Sequence, residues 1–123
     1  MEWIRVLDAG ALSTGERKVV EVRDHKILLL EYEGEIYAML NACPHMGMSL
    51  RKGKVTEDGD IVCPLHHSVF SLKTGAVKAW APWPPVMSRL LGIVRPESPL
   101  HIYPTKVEEG GIWVGVGGGQ EPQ

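Results

Sequence analysis

The stretch "NACPHMGMSL" at residues 41–50 places a cysteine, Cys43, two positions before a histidine, His45. A second stretch, "IVCPLHHSVF", begins twenty residues later and places Cys63 three positions before His66. Two loops that each carry one thiol and one imidazole can bring four ligands to one metal centre. Such a set suits tetrahedral zinc or a two-iron cluster in which each iron takes like ligands, and both remain open at this point.

A disulfide between Cys43 and Cys63 is the alternative use of the only two cysteines in the chain. The N-terminal stretch "MEWIRVLDAG" lacks the charged start, apolar core and cleavage site of a signal peptide. No apolar run approaches the roughly 20 residues that span a bilayer. These features predict a cytoplasmic protein without membrane contact. Because disulfides are rare in a reducing compartment, a metal site is the preferred interpretation.

The composition is that of an ordinary globular domain, with 44% hydrophobic and 23% charged residues among 123. The formal net charge of −2 gives no basic face of the kind that binds nucleic acid, so no nucleic-acid partner is expected. Lysine and arginine are scattered along the sequence except for one short cluster, formed by Arg51, Lys52 and Lys54.

Short runs rich in Val, Ile, Tyr and Trp, separated by Gly and Pro, predict an all-β fold of small antiparallel sheets in a sandwich or barrel. The runs are "WIRVL", "KVVEVR", "KILLLEY", "EIYAML", "DIVC", "SVFSL", "LHIYPTKV" and "GIWVGV". Tight hairpin turns are predicted at Glu33-Gly34 and at Gly110-Gly111, because glycine adopts positive φ without strain. The stretch "DAGALSTGERK" can hold one short helical turn.

The segment "APWPPVMSRLLGIVRPESP" at 81–99 differs from the rest of the chain. Its prolines exclude regular strand pairing, and its apolar residues recur at helical spacing, which predicts a loop with a short apolar helix or coil. We expect residues 83–98 to form a partner-docking surface, with packing into the core or a homo-oligomer contact as the alternatives. The glycine-rich end, residues 117–123, is predicted to be disordered.

These motifs resemble the soluble Rieske [2Fe–2S] ferredoxins. The pattern C-x-H, seventeen intervening residues and C-x-x-H is the Rieske signature, in which two histidines replace two cysteines on one iron. The likeness extends to Gly47, Phe70, the turn "KTG" and the closing stretch "YPTKVEEGGIWV". It covers almost the whole chain except the region around 83–98.

The resemblance implies one [2Fe–2S] cluster per chain, with Cys43 and Cys63 on the inner iron and His45 and His66 on the outer iron. His67 stands where the family commonly has glycine, and the register of C-x-x-H favours His66 as the ligand.

The resemblance also implies a Rieske-like fold with a cluster-binding subdomain formed by the two loops. It places a single domain over residues 1–116, with the cluster-binding part at about 41–82. Ser68 matches a serine of the high-potential Rieske proteins, but Phe70 replaces their tyrosine and donates no hydrogen bond. The implied potential lies toward the lower part of the Rieske range, roughly −150 to +300 mV.

The function implied is electron transfer, from a reductase to a terminal oxygenase or another redox protein. The chain is not expected to be an enzyme, because an oxygenase site needs a further iron held by two histidines and a carboxylate. The remaining histidines, His25, His67 and His101, do not supply that set. Two alternatives stay open: a small Rieske-like subunit of an assimilatory nitrite reductase, and a structural zinc-binding module.

Overall fold

The computed structural model describes four stretches of the chain, namely residues 2–44, 47–64, 67–80 and 98–117. The predicted docking segment at 83–98, except its last residue, and all but the first residue of the predicted tail lie outside the described residues. The chain divides into two compact units. The first unit comprises residues 1–40 and 101–123, and the second comprises residues 41–100.

The described part of the first unit contains seven strands and one short 3-10 helix, Ala9–Ala11. The strands are β1 (Glu2–Asp8), β2 (Arg17–Val22), β3 (His25–Tyr32), β4 (Glu35–Leu40), β9 (Ile102–Tyr103), β10 (Thr105–Glu108) and β11 (Gly111–Val116). They form two antiparallel sheets, with strand orders β1-β11-β10 and β2-β3-β4-β9.

These two sheets share one hydrophobic core. Alternation along β11 turns Ile112, Val114 and Val116 toward the same side, and all three are buried. They belong to one cluster with Ile27 and Leu29 of the central strand β3. The first unit is therefore a two-sheet sandwich, and the prediction of an all-β fold with small packed sheets is confirmed.

Hairpin turns connect β3 to β4 and β10 to β11. Glu33 and Gly34 form the first turn with φ of 51° and 82°, and the strands pair on either side as predicted. The second turn lies one residue earlier than predicted, because Glu109 and Gly110 have the positive φ values while Gly111 is the first residue of β11. The predicted hairpin is correct, but its assignment to Gly110-Gly111 is wrong by one position.

The second unit contains one four-stranded antiparallel sheet among its described residues, in the order β5-β6-β7-β8. Its strands are β5 (Lys54–Val55), β6 (Asp60–Val62), β7 (Val69–Ser71) and β8 (Val77–Ala79). Buried Ile61, Phe70, Leu72 and Leu100 supply apolar packing, and the Leu100 N–H donates to the Gly75 carbonyl at 2.8 Å.

Two features of the sheets differ from the sequence prediction. The short strands β5 and β8 were not predicted, because two or three residues show no measurable alternation. The predicted run "LHIYPTKV" is two strands, β9 and β10, separated by Pro104. Proline lacks the N–H that a continuous ladder needs, although its carbonyl accepts a bond from the Gly115 N–H at 2.9 Å.

Candidate metal centre

Two loops of the second unit carry the cysteines. We call residues 41–50 the first loop and residues 62–69 the second loop. Neither Cys43 nor Cys63 is in a disulfide, and each is only 1% exposed. The disulfide alternative is therefore not observed, and each loop offers a buried sulfur without a covalent partner.

The two loops have the same backbone hydrogen-bond frame. In the first loop the Cys43 N–H donates to the Met48 carbonyl at 2.8 Å, and the Gly47 N–H donates back to the Cys43 carbonyl at 2.7 Å. In the second loop the Cys63 N–H donates to the Ser68 carbonyl at 2.8 Å, and the His67 N–H donates to the Cys63 carbonyl at 3.1 Å. Each cysteine is thus held through both of its backbone polar groups in an equivalent position.

The fourth residue after each cysteine closes this frame in the left-handed backbone region. Gly47 has a φ of 75° and His67 has a φ of 64°. Glycine adopts this conformation freely, whereas a residue with a Cβ is strained there by about 1–2 kcal/mol. His67 is thus the backbone counterpart of Gly47, and its side chain is exposed.

The ends of the two loops are joined in different ways. In the second loop, Val62 and Val69 are paired residues of β6 and β7, so the sheet itself closes the loop. Among the described residues no ladder pairs the two ends of the first loop with each other, although β4 ends at Leu40, directly before it. Instead, the Asn41 Oδ1 accepts bonds from the Leu50 N–H at 3.0 Å and from the Ser49 hydroxyl at 3.1 Å.

Gly53 connects the two loops through close backbone contacts. Its N–H donates to the Leu50 carbonyl at 2.9 Å, at the end of the first loop. A Cβ at this position would collide with the Val62 carbonyl oxygen, at the start of the second loop, and lie 3.1 Å from that of Leu50. Only glycine therefore allows the chain leaving the first loop to lie against the strand that leads into the second.

The predicted site residues divide into two groups. The structure places Cys43 and Cys63 in equivalent loop positions, whereas His45 and His66 lie outside the described residues. Within the described ranges no three His, Cys, Asp or Glu side chains assemble into a metal site. The assignment of all four ligands stays a prediction.

The described surroundings of the thiols fit a thiolate-bound cluster. Both sulfurs are buried and unbridged, as structural metal ligands require. Ser68 is fully buried directly after the frame of the second loop. Phe70 is also fully buried and meets the Trp80 ring edge-on, with 6.4 Å between ring centroids, so this position contributes packing and no hydroxyl.

Sequence reasoning did not single out Asn41 or Gly53. Asparagine is frequent in turns for many reasons. The hydrogen bond from the Leu50 N–H to the Asn41 side chain is therefore seen only in the structure. The tight packing at Gly53 had one weak signal, a glycine between two lysines.

The family model for the Rieske [2Fe–2S] domain matches residues 2–95. The chain belongs to the Rieske [2Fe–2S] domain family. Among curated relatives, this Rieske chain is 32% identical to the ferredoxin component of the alkene monooxygenase system of Xanthobacter autotrophicus, over 94% of this chain and 82% of that protein. It is 30% identical to the 3-phenylpropionate/cinnamic acid dioxygenase ferredoxin subunit of Photorhabdus laumondii, covering 83% and 82% of the two chains.

A solved structure shares the fold of this Rieske chain. The ferredoxin of carbazole 1,9a-dioxygenase from Nocardioides aromaticivorans superposes with a TM-score of 0.71 at 24% identity, over 93% of this chain and 97% of that one. The predicted Rieske-like fold and the [2Fe–2S] cofactor are confirmed by the family match, which also argues against zinc. The predicted role as an electron carrier is confirmed by the ferredoxin relatives.

Proposed function

We propose that this protein carries single electrons from a reductase to the terminal oxygenase of a multicomponent monooxygenase or dioxygenase system. The observation that carries the proposal is the pair of loops with one hydrogen-bond frame and one buried, unbridged thiol each. The ferredoxin relatives, which belong to an alkene monooxygenase and an aromatic acid dioxygenase, supply the class of partner.

Cys43 and Cys63 would hold one iron of the cluster as thiolates, and His45 and His66 would hold the other. When bound, a [2Fe–2S] cluster supplies one reversible electron, and imidazole ligands on one iron raise its potential above that of an all-cysteine site. The protein contributes a fixed position for each thiol and excludes water from both sulfurs, since each cysteine is 1% exposed. Burial lowers the local dielectric, and the backbone frame keeps the sulfurs in place whether the protein is oxidised or reduced.

The proposal includes the wider organisation of the chain. Residues 1–116 would act as a single Rieske domain, with the cluster-binding part at about 41–82. Within the described stretches no helix is long and apolar enough to cross a membrane. A cytoplasmic location suits such a carrier, because its thiols must stay reduced until the cluster is inserted.

The alternative of a nitrite reductase subunit has less support, because the two ferredoxin relatives described above are oxygenase components.

The proposal is tested by measuring iron, acid-labile sulfide and electron spin resonance on the purified protein. Two irons and two sulfides per chain are expected, with a resonance that appears only after one-electron reduction. The carrier role is tested by reducing the protein with the reductase of a multicomponent oxygenase system and then following its reoxidation by the oxygenase of the same system. One bound zinc per chain and no labile sulfide would overturn the proposal.

A further inference from the structure

Positive charge is concentrated in the unit that carries the two loops. Residues 41–100 contain seven Lys and Arg against four Asp and Glu, a net charge of +3. The rest of the chain contains six Lys and Arg against eleven Asp and Glu, a net charge of −5. The small overall charge of −2 therefore conceals a strong separation of charge between the two units.

Three of the seven cations of the second unit lie at the loop end of the sheet. Arg51, Lys52 and Lys54 follow the first loop directly, and all three are exposed. The register pairs Lys54 with Val62, the residue before Cys63. The turn with exposed Glu57 and Asp58 joins the opposite ends of β5 and β6. We call Arg51, Lys52 and Lys54 the basic edge.

The basic edge has a fixed position relative to both loops. Gly53, in its middle, is held against the Val62 carbonyl of the second loop and bonded to the Leu50 carbonyl of the first. The Arg51 N–H is within 3.3 Å of the Ser49 hydroxyl, which is itself bonded to Asn41. These contacts prevent the three cations from moving away from the loops as a flexible tail would.

One carboxylate of the same sheet is already paired with a lysine. Asp60 is buried and its carboxylate lies 2.8 Å from the Lys78 ammonium, so that pair is neutral. A Rieske cluster with two thiolate ligands is formally neutral when oxidised and carries one negative charge when reduced. Three exposed cations outweigh that single charge in both states.

We propose that the basic edge is the docking surface for an acidic face of the protein that exchanges electrons with this carrier. The inference rests on the proposed function and adds the chemistry of the partner. Charges grouped beside an electron-transfer site steer an oppositely charged partner into contact and raise association rates by 10 to 10³-fold at low ionic strength.

The test uses two redox proteins of opposite charge as probes, the acidic plastocyanin and the basic cytochrome c. Stopped-flow oxidation of the reduced protein is followed at low and high salt. Wild-type protein should react faster with plastocyanin than with cytochrome c at low salt, and the preference should fade as salt screens the charges.

Paired charge-reversal variants separate a local effect from a change in net charge. The double variant Lys52→Glu/Lys54→Glu should slow the reaction with plastocyanin by at least about tenfold at low salt and speed the reaction with cytochrome c. The control, Lys26→Glu/Lys73→Glu, changes the net charge equally at two exposed lysines that are not part of the basic edge, and its rates should stay within about twofold of wild type. Equal slowing in both variants, or a wild-type preference for cytochrome c, would overturn the proposal.

A binding measurement keeps the two proposals distinguishable. The dissociation constant for plastocyanin, measured by calorimetry with both proteins oxidised, requires no electron transfer. The Lys52→Glu/Lys54→Glu variant should bind at least about tenfold more weakly than the control pair. If the two variants differ in affinity as expected but the protein gives no cluster signal, the electron-carrier proposal is refuted and the docking surface is still supported. If the cluster signal is normal but the two variants bind plastocyanin equally well, the docking surface is refuted and the electron-carrier proposal is still supported.

Discussion

The two ligand loops reach the same backbone geometry by different means. The second loop is closed by the ladder between β6 and β7, and it tolerates a histidine, His67, in the left-handed position. No ladder pairs the described ends of the first loop with each other, so the Asn41 side chain joins them and glycine fills the left-handed position. A sheet can hold a strained residue in place, whereas a loop held by one side chain uses the residue that has no strain.

The comparison separates the backbone features that both loops share from those that differ between them. The hydrogen-bond frame around each cysteine is common to both loops, and the closure of the loop is not. The frame is therefore what the two loops share, and Asn41 and the β6–β7 ladder are two different supports for it.

The largest expected effect separates the two predicted ligand histidines from their neighbour. Replacing His45 or His66 with alanine should abolish the visible absorption and the resonance signal of the reduced protein, because one iron loses a ligand. His67→Ala should retain nearly the full signal and iron content. Loss of the cluster in His67→Ala together with its retention in His66→Ala would show that the second loop uses the other histidine.

The next effect concerns the contact that joins the loops. Gly53→Ala should lower the free energy of unfolding by about 1–3 kcal/mol, because the new methyl group collides with the Val62 carbonyl and the backbone must shift. Gly10→Ala is the control, since a Cβ there has no atom within 4 Å, and it should stay within about 0.5 kcal/mol of wild type. Urea unfolding followed by circular dichroism measures both. Equal stabilities would show that the loops are not in tight contact at Gly53.

Replacing Asn41, whose side chain joins the ends of the first loop, should affect that loop alone. Asn41→Ala loses two hydrogen bonds, each worth about 0.5–1.5 kcal/mol, whereas Asn41→Asp keeps the acceptor oxygen. Hydrogen–deuterium exchange followed by mass spectrometry should be faster in peptides covering 41–50 and unchanged in those covering 62–69. Restoration of slow exchange in Asn41→Asp is expected. Faster exchange in both loops would mean that their supports are not independent.

The smallest effects should have opposite signs. Gly47→Ala places a Cβ in the left-handed region and should destabilise the protein by about 1 kcal/mol. His67→Gly removes the same strain and should stabilise it by up to about 1 kcal/mol, reduced by the extra chain entropy of glycine. Paired unfolding curves measure the two shifts. Destabilisation by His67→Gly would show that the imidazole contributes more to the second loop than its backbone costs.

Sequence reasoning predicted the strands that are long enough to show alternation or a continuous apolar run, such as β3 with "HKILLLEY". It missed β5 because two residues carry no period. It identified the cysteines by spacing, but it did not reveal that Gly47 and His67 are equivalent. The hydrogen bonds of the frame are made by backbone groups. The side chains of the two loops differ, and they therefore conceal a backbone geometry that both loops share.

The central claim is that the two loops together supply two thiolates and two imidazoles to one cluster. Pulsed electron spin resonance on reduced protein labelled with ¹⁵N-histidine detects nitrogen bound to iron directly. We expect two strongly coupled histidine nitrogens in wild type and in His67→Ala, since we predict that His66 and not His67 is the ligand. A spectrum with no strongly coupled histidine nitrogen, or with one that disappears in His67→Ala, would contradict the account.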